Sequence, residues 1–163
     1  KLETQITPVR PQAFNYHQLA KDIVEEMTAI SKRGQVILNE IEGPETPIFS
    51  DPGILKNILY NLMSNAIKYS DEGQEIIYRT VLTEHELKVT VKDSGIGIPK
   101  EDQKQLFNRF FRAKNATNIK GTGLGLNIVT KYLEMLNGSM TFESEENVGT
   151  SFHLTIPINT KKD

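Results

Sequence analysis

The stretch Asp51-Pro-Gly-Ile-Leu-Lys-Asn-Ile-Leu-Tyr-Asn-Leu-Met-Ser-Asn-Ala-Ile-Lys-Tyr69 predicts one long helix with a broad apolar face, and the rest of the fold can be arranged around it. Asp51 is a good N-cap, and Pro52 is favoured at the first helical position. We expect the helix to end near Tyr69. Eight residues form its apolar face: Ile54, Leu55, Ile58, Leu59, Leu62, Met63, Ala66 and Ile67. A face of this width predicts that the helix packs against a second layer of the domain.

Three polar residues follow the border of this apolar face. At about 100° per residue, Asn65 falls inside the face, whereas Asn61 and Lys68 lie just beyond its edge. A single amide in such a place is more often part of a solvated helix flank. Three polar groups in register beside buried residues need partners, which a bound metal ion with its phosphates could provide.

A carboxylate interrupts the apolar face of a predicted strand further along the chain. Leu87, Val89 and Val91 alternate with polar residues, and Asp93 continues their face. A buried carboxylate must be hydrogen-bonded or it will protonate. Asp93 could simply cap the turn that follows, or it could contact a ligand.

Two glycine-rich stretches follow this predicted strand. Gly95 and Gly97 follow Asp93, and Gly121, Gly123 and Gly125 run into a helix predicted from Leu124 to Leu136. Glycine lets a ligand approach the backbone closely, and a helix N-terminus suits a phosphate chain. Turns use the same residues, but two such loops with an Asp before one and a helix after the other are stronger evidence for a phosphate-binding site than a single loop would be.

The segment between the two glycine stretches, from Pro99 to Gly121, is basic. It holds six Lys or Arg residues and two acidic residues in a chain whose formal net charge is −2, and it also carries Phe107, Phe110 and Phe111. A basic loop is usually a solvated surface. A loop of about twenty residues inside a compact domain is unusual, however, and tends to be a functional lid.

Composition excludes several classes of function. The 163 residues are 37% hydrophobic and 25% charged, which is typical of one globular domain with a real core. The net charge gives no sign of nucleic-acid binding by bulk charge. The lack of cysteine excludes disulfides, thiolate zinc sites and cysteine nucleophiles. No apolar run reaches the length of a membrane span.

The order of predicted elements gives an α/β two-layer sandwich, with a mixed sheet of about five strands and three helices on one face. The first helix is predicted over 16–34. Strands are predicted over 36–41, 47–50, 75–82, 87–92, 139–144 and 149–157, and Asn137-Gly138 is a good cap for the last helix. Because the first residue is Lys1 rather than Met, we expect a piece of a longer protein.

Four motifs, in the same order, resemble those of the ATP-binding catalytic domain of sensor histidine kinases, in the superfamily shared with DNA gyrase B, MutL proteins and heat-shock chaperones. Asn61–Tyr69 is similar to the N box and Asp93–Gly97 to the first glycine box. Phe107–Arg112 is similar to the F box and Gly121–Leu126 to the second glycine box. Gly149-Thr150 adds a further match. The resemblance covers about 14–158 and implies the Bergerat fold with an ATP lid.

The resemblance implies a role for each matched residue. Asp93 would accept a hydrogen bond from the adenine amino group, with Thr150 helping to position it or a water, and Asn65 would ligate Mg²⁺. Lys68 and Arg112 would neutralise phosphate charge, and with Asn61 they are the predicted catalytic residues. The full set of predicted ATP contacts is Asn61, Asn65, Lys68, Tyr69, Asp93, Gly95, Gly97, Ile98, Phe107, Arg112, Gly121, Thr122, Gly123, Leu124, Gly125, Leu126 and Thr150.

The residue at position 61 bears on which reaction this site would catalyse. Relatives that hydrolyse ATP, and the serine kinases among them, carry a Glu four residues before the Mg²⁺ ligand as a general base. Asn61 cannot take a proton, so a protein histidine kinase with a histidine acceptor is favoured over a hydrolase. A module that binds ATP and acts only through contacts of its lid remains the alternative.

The resemblance also implies partners. The phosphoacceptor histidine is expected in a separate helical hairpin, followed at once by an acidic residue, and none of His17, His85 and His153 is in that context. We therefore expect residues 1–13 to be the tail of a preceding dimerisation hairpin with a linker, and 14–163 to be the catalytic domain, with its lid at about 99–121. The hairpin of the same kinase and a downstream response regulator are the expected partners. We expect the isolated domain to be a cytoplasmic monomer without nucleic-acid or membrane contacts.

Overall fold

The computed structural model describes residues 8–107 and 125–159. Within these residues the chain forms three α-helices, a short 3-10 helix and seven strands. The helices are α1 (Tyr16–Ala29), α2 (Pro52–Tyr69), the 3-10 helix (Lys100–Gln105) and α3 (Gly125–Met135). The strands are β1 (Gln12–Phe14), β2 (Val36–Glu42), β3 (Ile48–Ser50), β4 (Glu75–Leu82), β5 (Glu86–Asp93), β6 (Ser139–Glu145) and β7 (Gly149–Pro157).

Five of the strands form one mixed sheet in the order β2-β4-β5-β7-β6. β2 and β4 are parallel and are joined through α2, whereas the other neighbours are antiparallel. β3 does not join this sheet but pairs with β1, a strand of three residues that the sequence did not predict. The predicted mixed sheet of about five strands is confirmed.

One face of the sheet is buried under the helices. The alternating residues Ile76, Tyr78 and Thr80 of β4 and Leu87, Val89 and Val91 of β5 are buried. β5 packs against α2, whose eight predicted apolar residues are all buried, and the Tyr16 hydroxyl of α1 lies within hydrogen-bond distance of the Tyr78 and Thr80 hydroxyls. This arrangement is the two-layer α/β sandwich that the sequence predicts. Among the described residues, no helix combines the length and the apolar character needed to cross a membrane.

The first helix is shorter than its predicted range of 16–34. α1 ends at Ala29, and Ile30, which the apolar periodicity assigned to its buried face, is 59% exposed. The chain then turns, with Gly34 at a φ of +74°, and returns to the C-terminal end of α2. The turn after α1 is held by contacts of Lys32 and Gln35 with the end of α2, and the periodicity of α1 does not reveal these contacts.

Both ends of α2 are held by other parts of the chain. Asp51 caps the N-terminus through Oδ1, which accepts the Ile54 N–H at 3.1 Å, while its Oδ2 accepts the Arg10 N–H at 2.8 Å. At the C-terminus the Lys32 ammonium donates to the carbonyl oxygens of Lys68 and Ser70, at 2.8 and 2.7 Å. These bonds satisfy carbonyl groups that a helix end leaves without partners.

Gln35 completes the C-terminal cap of α2. Its buried Nε2 lies 3.2–3.3 Å from the carbonyl oxygens of Ile67, Ser70 and Asp71, and its Oε1 accepts the Lys32 N–H at 2.8 Å. The amide therefore supplies donors to the helix end and an acceptor to the turn after α1, so it joins the two helices.

Gln35→Glu is expected to lower the free energy of unfolding by about 2–3 kcal/mol, because it removes the donors and sets a negative charge beside the negative end of the helix. Urea unfolding measures the loss. Gln74→Glu is the matched control, because within residues 8–107 and 125–159 the Gln74 side chain bonds only through its Oε1, which accepts the Asp71 N–H at 2.7 Å. Equal losses in the two variants would contradict the proposed importance of the Gln35 donors.

Candidate functional site

Asp93 is the last residue of β5 and lies on the buried face of the sheet, with 8% of its surface exposed. Its Oδ1 accepts the Gly95 N–H at 2.9 Å and the Thr150 N–H at 3.3 Å. Burial raises the pKa of Asp93 to about 6, and the two N–H donors oppose that rise. Its Oδ2 has no hydrogen-bond partner among residues 8–107 and 125–159. This oxygen can accept a hydrogen bond from a ligand.

The end of α2 meets the loop that follows Asp93. The Ile96 N–H donates to the Tyr69 carbonyl oxygen at 3.0 Å. A Cβ at Gly95 would lie 2.1 Å from that same oxygen, so only glycine permits the two backbones to approach this closely. The contact places Tyr69, which is one helical turn after Asn65, beside the residues that hold Asp93.

The three polar residues of α2 differ in what they contact. The Asn61 Nδ2 donates to the Asn57 carbonyl oxygen one turn earlier at 2.8 Å. Asn65 is half-buried, as its place inside the apolar face predicts, and its amide has no hydrogen-bond partner in the described part of the chain. Lys68 is exposed and forms no ion pair with any residue in 8–107 or 125–159. An amide oxygen and an ammonium group are therefore available on the same edge of α2.

The hairpin formed by β6 and β7 holds the far side of the same loop. The Asn147 N–H donates to the Ile96 carbonyl oxygen at 2.6 Å, and the Ile98 N–H donates to the Ser144 Oγ at 2.9 Å. The loop, residues 94–99, is thus fixed on one side by α2 and on the other by the β6–β7 hairpin.

The 3-10 helix after this loop is fixed to the same hairpin. The Gln103 Nε2 donates to the carbonyl oxygens of Ile98 and Ser144, at 3.0 and 3.1 Å. The Phe107 ring packs edge-on against Phe142 of β6, with 5.7 Å between the ring centroids. The start of the predicted lid is therefore held in place, and the Phe107 ring packs inside the domain.

Several predicted site residues lie outside the described residues. They are Phe110, Phe111, Arg112, Gly121, Thr122, Gly123 and Leu124. Gly125 and Leu126 are described and stand at the start of α3, which packs against α2. The described structure thus brings together the end of α2, the loop of residues 94–99, Thr150 and the start of the predicted lid.

Residues 50–160 match the family described as the histidine kinase-, DNA gyrase B- and HSP90-like ATPases. The chain belongs to this family. Its curated relatives include the sensor histidine kinase RcsC of Salmonella typhimurium, which is 32% identical over 162 residues, covering 97% of this chain and 17% of RcsC. The sensor protein RprX of Bacteroides fragilis is 36% identical over 126 residues, covering 75% of this chain and 24% of RprX. The chain thus spans about a sixth to a quarter of the length of these relatives.

Solved structures of the ATPase family share the fold over nearly the whole chain. The nucleotide-free catalytic domain of the histidine kinase ThkA superposes with a TM-score of 0.74 at 27% identity, covering 91% of this chain and 97% of that domain. Full-length ShkA in complex with AMPPNP superposes with a TM-score of 0.81 at 23% identity, covering 96% of this chain and 33% of ShkA. The resemblance inferred from the motifs is confirmed at the level of family and fold.

Some residues that shape this ATPase-family site were not singled out from the sequence. Ser144 and Gln103 hold the loop after Asp93, and Lys32 and Gln35 hold the end of α2. Ser144 carried a usable signal, because it continues the inward row of Met140 and Phe142 on β6 as a polar residue. Lys32, Gln35 and Gln103 act through contacts with residues distant in sequence and carry no periodic signal.

Proposed function

We propose that this domain binds ATP with Mg²⁺ and transfers the γ-phosphoryl group to a histidine on a separate helical hairpin of a sensor histidine kinase. The observation that carries the proposal is the buried Asp93 carboxylate, in which Oδ1 is satisfied by two backbone N–H groups and Oδ2 is left as an acceptor. A carboxylate held this way beside a glycine-rich loop suits the 6-amino group of adenine, which is a donor.

The phosphate end of ATP would lie along the polar edge of α2 toward the start of α3. The half-buried Asn65 offers a neutral amide oxygen, a ligand type that Mg²⁺ accepts when phosphates and waters complete its shell. Bound Mg²⁺ would supply charge neutralisation to the phosphates. Lys68 adds an exposed positive charge, and Arg112 and the glycine stretch 121–125 are assigned to the same role on their sequence match.

The choice of phosphoacceptor follows from what α2 lacks. Asn61, one turn before Asn65, has an amide that cannot accept a proton from water or from a serine hydroxyl. A neutral imidazole needs no such base because it is already nucleophilic at neutral pH. Transfer to histidine therefore fits this site better than ATP hydrolysis does. The acceptor hairpin, a response regulator and a cytoplasmic location belong to the same proposal.

The test is to incubate the domain with γ-labelled ATP, Mg²⁺ and the separately produced hairpin of its full-length kinase. We expect label on the hairpin histidine, in a linkage stable to base and labile to acid, and none on the domain itself. The Asp93→Asn variant serves as the control with weakened nucleotide binding. Binding of ATP without transfer to the hairpin would support the alternative binding module. Release of phosphate at the same rate with and without the hairpin would support a hydrolase.

A further inference from the structure

Ser144 is a polar residue in the inward-facing row of β6, after Met140 and Phe142. It lies directly opposite Thr150 of β7, which in turn lies opposite Asp93 of β5. Directly paired residues project from the same face of a sheet. Asp93, Thr150 and Ser144 therefore form a row across three strands at the edge of the candidate site.

The Ser144 hydroxyl makes three contacts, which use its entire hydrogen-bonding capacity. Its Oγ lies 2.9 Å from the Ile98 N–H, 3.1 Å from the Gly149 carbonyl oxygen and 2.8 Å from the Thr150 Oγ1. A hydroxyl has one proton and two acceptor positions. The backbone N–H can only donate and the carbonyl oxygen can only accept, so the Ser144 proton goes to Gly149. Thr150 must then donate its own proton to Ser144.

The direction of this bond determines what Thr150 offers to a ligand. Once its proton is committed to Ser144, the Thr150 Oγ1 can act only as an acceptor toward the site. The Thr150 N–H is also committed, because it donates to the Asp93 Oδ1. At this buried end of the site, the Asp93 Oδ2 and the Thr150 Oγ1 can thus only accept hydrogen bonds, and neither residue has a donor left to offer.

We propose that Ser144 is a positioning residue for base selectivity, which acts by holding the Thr150 hydroxyl as an acceptor. The two acceptors match a 6-amino purine, directly or through a water, and oppose the carbonyl oxygen of a 6-oxo purine. This inference rests on the proposed nucleotide site and specifies its substrate class further. Thr150 needs Ser144 to contribute to the selectivity, because a Thr hydroxyl with a free proton could turn and donate to a 6-oxo group.

The test compares the dissociation constants of ATP and inosine triphosphate, both with Mg²⁺, by calorimetry. In Ser144→Ala the Thr150 proton is released, so the preference for ATP is expected to fall on the order of tenfold, the equivalent of one hydrogen bond. Ser144→Thr keeps a hydroxyl at the same place and is expected to retain the preference. In a Thr150→Val background, Ser144→Ala is expected to leave the remaining preference unchanged, because the hydroxyl it acts through is gone.

The outcomes separate this inference from the proposed function. If the wild type binds neither nucleotide, the proposed function fails. If the wild type prefers ATP and Ser144→Ala weakens both nucleotides by the same factor, Ser144 only supports the loop and the inference is overturned. If Ser144→Ala does not fold, the affinities of Thr150→Val for ATP and inosine triphosphate test the inference instead. It is expected to weaken ATP without strengthening inosine triphosphate, and an unchanged ATP affinity overturns the inference.

Discussion

Asp93→Asn is expected to weaken ATP binding by about 100-fold or more while leaving the domain folded. The asparagine Oδ1 can still accept the N–H groups of Gly95 and Thr150, so its Nδ2 takes the place of the free carboxylate oxygen. Two donors, the amide and the adenine amino group, then face each other in a buried place, and the loss of a charged acceptor adds to the cost. Calorimetry with ATP and Mg²⁺ measures the change.

The same substitution is expected to raise stability at neutral pH. Burial raises the pKa of Asp93 from 3.8 to about 6, so the folded state binds a proton more tightly than the unfolded state does. Wild-type stability therefore falls as pH rises through this window, and the neutral variant escapes that loss. We expect the variant to gain about 1–3 kcal/mol over the wild type at pH 7.5, and little at pH 4. Urea unfolding at both pH values checks the sign.

Asp51→Asn is the matched control for Asp93→Asn. Asp51 is also 8% exposed and also accepts two backbone N–H groups, but it uses one oxygen for each. Its amide must therefore lose one of the two bonds, and the variant is expected to lose about 1 kcal/mol of stability with no change in ATP affinity. If Asp93→Asn kept the wild-type affinity, Asp93 would not contact the nucleotide.

Gly97→Ala is expected to lower the free energy of unfolding by about 3 kcal/mol or more and to abolish ATP binding. Gly97 has a φ of +68°, and a Cβ there would lie 2.0 Å from the Glu145 carbonyl oxygen. The left-handed backbone alone costs about 1 kcal/mol for alanine. The clash adds to it, because either the loop after Asp93 or the β6–β7 hairpin must move.

Gly73→Ala separates these two contributions. Gly73 has a φ of +80°, but a Cβ there would meet nothing within 4 Å. This variant is expected to lose only about 1 kcal/mol and to bind ATP like the wild type. Urea unfolding and nucleotide titration of both variants make the comparison. Similar losses would show that backbone conformation, rather than the close approach to Glu145, is what requires glycine at position 97.

The sequence predicted the parts of the site that lie on long, regular elements. α2 was placed correctly because its cap and its 3.6-residue period agree over five turns, and the same period put Asn65 inside the apolar face. Asp93 was placed by the two-residue period of β5, which the structure extends to that residue. Both assignments depend on local patterns that a single chain displays.

The structural features that the sequence did not predict depend on contacts between residues far apart in the chain. The Ile98–Ser144 bond joins residues 46 positions apart, and the Gln35–Ser70 bond joins residues 35 apart. β1 is three residues long and forms only because β3 is there to pair with it. The turn after α1 likewise depends on distant contacts, because Lys32 and Gln35 bond to the end of α2. Local periodicity contains none of this information.

The central position of β5 has a consequence for how the domain matures during synthesis. β7 is the last strand among the described residues, and it pairs with the whole length of β5, from Glu86 opposite Pro157 to Asp93 opposite Thr150. While the ribosome is still adding β6 and β7, one edge of β5 is unpaired and the Asp93 carboxylate lacks one of its two backbone donors. A nascent chain that ends before Gly149 therefore has the motifs for ATP but no assembled pocket. We therefore expect nucleotide binding to require β7, which fills the place between β5 and β6 in the sheet.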